Sequence, residues 1–222
     1  MTEDWLLLGF DARPSKPPVW DEGRKRDFLL RLDIVTPLSI DTAVWPSVFA
    51  LHPELRPPYV GPYGLYENLE SLRKHVAAAR GTPGDLCIVA FGVASGACTR
   101  EERRVLDEFL RGVSPDGSPG TTLPEINPPA ADGGWSFLGY DVADLGGTTS
   151  GLMNCGFLPE LEDVEALRLR WGPKLNDFHL FDSRKEAREF KDFSNQRVAE
   201  HAPFFIHGIW LVESEESCPT GG

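Results

Sequence analysis

The residue best suited to covalent chemistry is Cys155, one of four cysteines in the chain. The next residue is Gly156, which would let a substrate approach the thiol closely. Three histidines could act as its base: His179, His201 and His207. The alternative is that a cysteine between apolar residues packs as a small core side chain. Because no two cysteines form a C-x-x-C pair, we expect free thiols, with neither a disulfide framework nor a zinc knuckle.

Two carboxylates lie at the end of a segment that reads as a strand, in the sequence GYDVAD. Asp141 and Asp144 could divide the acid and base roles of a reaction, or they could bind a cation. The alternative is structural, since aspartate at a strand end commonly forms a turn. An enzyme that uses Cys155 or the pair Asp141 and Asp144 is therefore the second functional hypothesis.

Metal and nucleotide sites are not indicated by the spacing of residues. His201 and His207 are six residues apart, which is not the i, i+4 spacing of a helical zinc site. His179 has only Asp177 and Asp182 as possible co-ligands nearby. Neither of the phosphate-binding patterns G-x-x-x-x-G-K-[ST] and G-x-G-x-x-G occurs. We therefore predict no metal and no cofactor.

Net charge is the strongest functional signal in the sequence. The chain has a formal net charge of −12, with 14 basic and 16 acidic residues in 1–112 but 8 and 18 in 113–222. Such a field repels nucleic acids and anionic membranes, whereas it attracts basic proteins and accelerates their encounter. The simpler interpretation is that the charge only keeps the protein soluble.

A negative surface in the C-terminal half is the predicted partner-binding site. Its residues are Asp141, Asp144, Glu160, Glu162, Asp163, Glu165, Asp177 and Asp182. The alternative for the acids near residue 163 is that they stabilise the positive end of a helix dipole. The acidic N-terminus and the lack of a long apolar run indicate a cytoplasmic protein with no membrane partner.

The elements expected to position these residues fall into two parts. A Gly- and Pro-rich stretch over 113–134 separates an N-terminal half, 1–112, from a C-terminal half, 135–213, and 214–222 is a tail. In the first half we expect strands at 5–10, 28–35 and 86–93. Apolar spacing predicts a helix over 65–80, and a capping box of Thr99 and Glu102 predicts another to Arg111.

The second half repeats this alternation of strands and helices. We expect a strand at 135–142, a short helix that ends before Gly172, and a final strand at 204–212. A second capping box, Ser183 with Glu186, predicts a longer helix to about residue 200. The resulting fold class is α+β, with a mixed or antiparallel sheet packed with helices.

One seven-residue pattern occurs at the start of both halves. WLLLGFD at Trp5 and WSFLGYD at Trp135 share the form W-x-x-L-G-aromatic-D. Each half also enters a doubly apolar strand that contains a glycine, Gly92 or Gly208. The pattern suggests two related halves, and the alternative is coincidence between two strands.

In its small size, acidity, α+β pattern and lack of catalytic motifs, the chain resembles bacterial immunity proteins of polymorphic or secreted toxin systems. The stretches LGYDVADLGGTTSGLMNCGF and LNDFHLFDSRKEAREF resemble uncharacterised bacterial proteins. The resemblance assigns no site residues. It implies a protein that neutralises a basic partner by occlusion, with carboxylates against cationic groups of a toxin cleft. An oligomeric scaffold is the third hypothesis, and the sequence leaves the oligomeric state open.

Overall fold

The fold was obtained as a computed structural model. It describes residues 5–14, 65–66, 68–78, 86–110, 134–144, 150–152, 161–176 and 180–212. The predicted strand at 28–35, residues 113–133 of the Gly- and Pro-rich stretch, and the tail lie outside these ranges.

Four strands and four helices make up the described residues. The strands are β1 (Trp5–Pro14), β2 (Leu86–Ala94), β3 (Trp135–Asp144) and β4 (Phe204–Val212). The helices are α1 (Leu69–Ala78), α2 (Arg100–Leu110), α3 (Val164–Trp171) and α4 (Arg184–Arg197). Short 3-10 turns follow β2, α3 and α4, at Ser95–Ala97, Gly172–Lys174 and Ala199–His201. The α+β class is confirmed.

The strands form an antiparallel sheet in the order β1-β2-β4-β3. β1 pairs with β2 from Trp5↔Ala94 to Pro14↔Leu86, and the register shifts between Leu7 and Gly9. Such a bulge bends the strand locally. Both outer strands therefore carry a copy of the W-x-x-L-G-aromatic-D pattern.

Helix starts follow the predicted capping chemistry. In α2, Thr99 N donates to Glu102 Oε2 at 2.8 Å and Glu102 N donates to Thr99 Oγ1 at 3.2 Å, which is a complete capping box. In α4, Glu186 N donates to Ser183 Oγ at 3.4 Å. The predicted helix over 65–80 begins later than expected, at Leu69. Its cap is Asn68, whose Oδ1 accepts from Ser71 N, and the preceding residues pair with β1 instead.

The described residues cluster in two compact units. One contains β1, β2, α1 and α2 together with Phe137 and Trp210. In it, the Trp210 ring packs edge-to-face on Trp5, with ring centroids 4.9 Å apart. The ring also lies over Gly92, where a Cβ would come within 3.1 Å of Trp210 Cζ3. Glycine in β2 therefore makes room for a large aromatic side chain.

The other unit contains Leu138–Ile209 and has its own aromatic core. The Trp171 ring contacts Phe190 edge-to-face at 4.9 Å, and Phe181 lies 5.1 Å from Phe190. All three side chains are fully buried. Burying three aromatic rings stabilises this unit by several kcal/mol, at about 1.5–3 kcal/mol for each large apolar side chain.

Candidate functional site

In the first half, the W-x-x-L-G-aromatic-D pattern forms a backbone junction between β1 and the segment at Leu65 and Tyr66, which belongs to none of the four strands. Gly9 has a φ of +145°, a conformation that glycine adopts far more readily than other residues. A Cβ there would lie 2.6 Å from the Tyr66 carbonyl oxygen and 2.8 Å from Leu65 Cβ. Phe10 N donates to Tyr66 O at 2.7 Å, and Tyr66 N donates to Phe10 O at 2.8 Å. The glycine thus lets a short segment lie directly against β1.

The second copy builds the same junction. Gly139 has a φ of +144°, and a Cβ there would lie 2.7 Å from Leu180 Cβ and 3.1 Å from Phe181 O. Tyr140 N donates to Phe181 O at 2.8 Å, and Phe181 N donates to Tyr140 O at 2.9 Å. The two copies therefore share sequence, glycine conformation and hydrogen-bonding pattern.

Asp141, the last residue of the second copy, is buried and serves the fold. It is 2% exposed, and its Oδ1 accepts from Val142 N at 2.8 Å and from Ser150 Oγ at 3.0 Å. A carboxylate enclosed in this way is not presented to a partner or a substrate. Asp144, three residues later, is half-buried. The structure gives the pair no shared accessible position, so it does not favour acid/base chemistry by Asp141 and Asp144.

The predicted acids at the start of α3 are brought together, and two of the three are paired with arginines. Arg197 Nη1 and Nη2 donate to the two oxygens of Asp163, both at 2.7 Å. This hydrogen bonding from Arg197 lowers the pKa of Asp163. Glu165 Oε2 accepts from Arg168 Nη1 at 3.2 Å. Glu162 is exposed and has no cationic partner within the described ranges.

Asp182 is distant in sequence from the acids at the start of α3, and its carboxylate accepts a hydrogen bond from Asn176. Asn176 Nδ2 lies 2.7 Å from Asp182 Oδ1 and 2.8 Å from the Leu138 carbonyl oxygen. The side chain of Asn176 therefore connects Asp182 to the outer edge of β3. Four residues considered for binding or catalysis lie outside the described residues: Cys155, Glu160, Asp177 and His179.

The two remaining histidines occupy separate environments. His207 is fully buried in β4, and burial lowers its pKa to about 4. The imidazole is therefore neutral near pH 7. His201 is half-buried in the turn after α4. Within the part of the chain that the structure describes, no group of three or more His, Cys, Asp or Glu side chains is arranged to hold a metal ion.

Sequence reasoning missed a cluster of cations over the aromatic core of the second unit. The Arg170 guanidinium carbon lies 4.5 Å from the centroid of the Trp171 ring and 5.3 Å from that of Phe193. Lys174 Nζ lies 4.7 Å from the same Trp171 ring and 3.0 Å from Glu189 Oε2. The Arg-Trp dipeptide was the available signal. The dipeptide alone does not predict the cluster, because α4 supplies Phe193 and Glu189 from further along the chain.

Comparisons with known proteins supply no further constraint. Searches against protein-family models, curated proteins and solved structures found no match to this chain. Among the described helices, none is long and apolar enough to cross a membrane. The charges and contacts of the chain itself are therefore what bears on its function.

Proposed function

We propose that this protein binds a basic protein partner in the cytoplasm and blocks it, as the immunity proteins of bacterial toxin systems do. The observation that carries the proposal is a net charge of −12 with an uneven distribution. Residues 113–160 contain six carboxylates and residues 202–222 contain three, with no lysine or arginine in either segment. Nothing within these segments offsets the negative charge.

The helical segment between them is nearly neutral by comparison. Residues 161–201 contain eight basic and nine acidic side chains. Several of these form pairs in the structure, among them Asp163 with Arg197 and Glu189 with Lys174. Exposed pairs of this kind contribute little stability, about 0–1 kcal/mol each, but they reduce the local field. The acid-only segments, 113–160 and 202–222, are therefore the proposed source of attraction, more than the start of α3.

The mechanism would be electrostatic steering followed by occlusion. A field of one sign raises the association rate with an oppositely charged protein, and the effect falls with ionic strength because the Debye length is only about 8 Å at physiological salt. Carboxylates that become desolvated against cationic groups of the partner would then slow dissociation. Asp141 is excluded from this role by its burial, whereas Asp144 and Glu162 remain candidates.

The first experiment tests for neutralisation in cells. The gene adjacent to that of this protein would be expressed alone and together with it. We expect growth arrest in the first case and rescue in the second. If the adjacent gene is harmless, or if its toxicity is unaffected by co-expression, the proposal is wrong.

The second experiment tests the acid-only segments with a matched control. One variant carries Glu125→Gln, Asp132→Asn and Glu160→Gln, and the control carries Glu101→Gln, Glu108→Gln and Glu189→Gln. Both sets remove three negative charges, but the control acids already have salt-bridge partners in the structure. We expect association with the partner at low salt to slow about tenfold for the first set and to change little for the second. Equal effects would contradict the assignment to these segments.

A further inference from the structure

Helix α3 exposes a small apolar surface next to an arginine. The helix buries Val164, Leu167 and Trp171, and it exposes Glu165, Ala166, Leu169 and Arg170. Ala166 is three residues from Leu169 and four from Arg170, so both side chains are its neighbours on the helix surface. Leu169 is 71% exposed. An apolar side chain and a guanidinium thus flank one small residue on the exposed side of α3.

Arg170 differs from four other arginines of the described helices in how it is held. Arg103, Arg104, Arg168 and Arg197 each donate to a carboxylate on the same or a neighbouring element. Among the described residues Arg170 has no carboxylate within hydrogen-bonding distance, and it lies over the rings of Trp171 and Phe193. Stacking orients a guanidinium while leaving its N–H groups available. Aromatic contacts therefore fix its position.

The charge around Arg170 is locally positive in an acidic protein. Glu189 accepts from Lys174 at 3.0 Å and lies 3.9 Å from Lys185. Arg170 also acts on Glu189 electrostatically. Three cations therefore surround one carboxylate, so a second carboxylate brought from another molecule would meet a favourable field.

We propose that Ala166, Leu169, Arg170 and Lys174, here named the Leu169 surface, bind a protein segment that presents a carboxylate beside an apolar side chain. The guanidinium fork matches a carboxylate through two parallel hydrogen bonds, and the exposed leucine supplies an apolar contact. The surface favours a peptide over a nucleic acid, because the net charge of −12 repels a continuous phosphate backbone. This proposal is independent of the basic partner, since it concerns a ligand of opposite charge.

The experiment measures binding of a fluorescent synthetic peptide in which a single glutamate lies next to a leucine among uncharged residues. The variant Arg170→Gln removes the fork, and the matched control Arg188→Gln removes an exposed arginine from α4 with the same change in net charge. We expect affinity to fall about tenfold or more for Arg170→Gln and to stay unchanged for Arg188→Gln. Leu169→Ser should weaken binding several-fold, and because Leu169 is exposed the fold should be unaffected.

Two controls separate this inference from nonspecific attraction to anions. A peptide with glutamine in place of glutamate should not bind the wild-type protein, and inorganic phosphate should displace the glutamate peptide only weakly. The proposal is overturned if Arg170→Gln and Arg188→Gln bind equally well, or if phosphate displaces the peptide as effectively as unlabelled peptide does. Failure here would leave the acid-to-amide experiment unaffected, because that experiment measures association with a basic partner.

Discussion

The two copies of the W-x-x-L-G-aromatic-D pattern differ in their side-chain partners, although they share a backbone arrangement. In the first copy, the aromatic residue facing Phe10 is Tyr66, whose pKa is raised above its ordinary value by burial and by the charge of Asp11. In the second copy the corresponding residue is Phe181, which has no hydroxyl, and the buried carboxylate of Asp141 accepts a hydrogen bond from Ser150 Oγ. The backbone junction is thus the constant feature, whereas the side chains near it differ.

The central strands differ in the same way. Gly92 lies in β2 and Gly208 in β4, the two inner strands of the sheet, and each follows a buried residue with a ring, Phe91 or His207. An apolar ring therefore precedes the glycine in one inner strand, and an ionisable ring precedes it in the other. The comparison predicts that, of these two described rings, only that of His207 titrates in mild acid.

The largest effect is expected from adding a methyl group at either junction. Gly139→Ala places a Cβ 2.7 Å from Leu180 Cβ, and Gly9→Ala places one 2.6 Å from the Tyr66 carbonyl oxygen, each at a positive φ. We expect each variant to lose about 3 kcal/mol or more of unfolding free energy, from backbone strain and overpacking. Chemical denaturation measures the loss.

Gly172→Ala is the matched control for both substitutions. Gly172 has a φ of −54°, and no atom lies within 4 Å of the position that the added methyl group would take, so we expect no destabilisation. If Gly9→Ala is tolerated and Gly139→Ala is not, the two junctions are not equivalent and the comparison fails.

A second effect of similar size is expected from pH. The pKa of His207 is lowered to about 4 in the folded protein, whereas an unfolded histidine has a pKa near 6.5. As the pH falls below 6.5 the unfolded state gains the proton first, so stability is lost between pH 6.5 and 4. The loss amounts to about 3 kcal/mol for a shift of this size.

The variant His207→Phe puts a phenylalanine before Gly208, as Phe91 stands before Gly92. It removes the titrating group, so it isolates the contribution of His207 to the pH dependence. We expect the difference in unfolding free energy between the variant and the wild type to change across pH 4–6.5 and to be constant above it. A difference that stays constant throughout would show that His207 is not the titrating group.

The smallest effect is expected from Tyr66→Phe, which makes the first junction resemble the second. Removing a buried hydroxyl should change the unfolding free energy by about 1 kcal/mol. Spectrophotometric titration supplies a second measurement, because Tyr66 should remain protonated at a pH where exposed tyrosines ionise. Ionisation of every tyrosine near pH 10 would contradict the burial of this side chain.

Local signals in the sequence were sufficient to predict several elements of the fold. The capping box at Thr99 and Glu102 forms as predicted, and the final strand covers the predicted residues 204–212. Both depend on neighbouring residues. The start of α1 was predicted four residues too early because Tyr66 pairs with Phe10, which is 56 residues away and leaves no trace in helical periodicity.

The candidate site was harder to predict for the same reason. The acids near α3 were found from sequence, but Arg197, which pairs with Asp163, lies 34 residues further along the chain. Asp141 was expected at the surface as part of the partner-binding site, but it is buried and accepts a hydrogen bond from Ser150, nine residues further along the chain. Charge counts record how many carboxylates exist, whereas pairing and burial decide which of them another molecule can reach.

The hydrogen bonds that Tyr66 and Phe181 make to the outer strands β1 and β3 have a consequence for self-association. Exposed backbone on the rim of a sheet is a template to which a strand from another molecule can add, and this is a common route to aggregates. At Phe10 and Tyr140 those backbone groups are already occupied by Tyr66 and Phe181. Strand addition at either place would first have to displace a segment of the same chain, so each junction blocks that position of its outer strand.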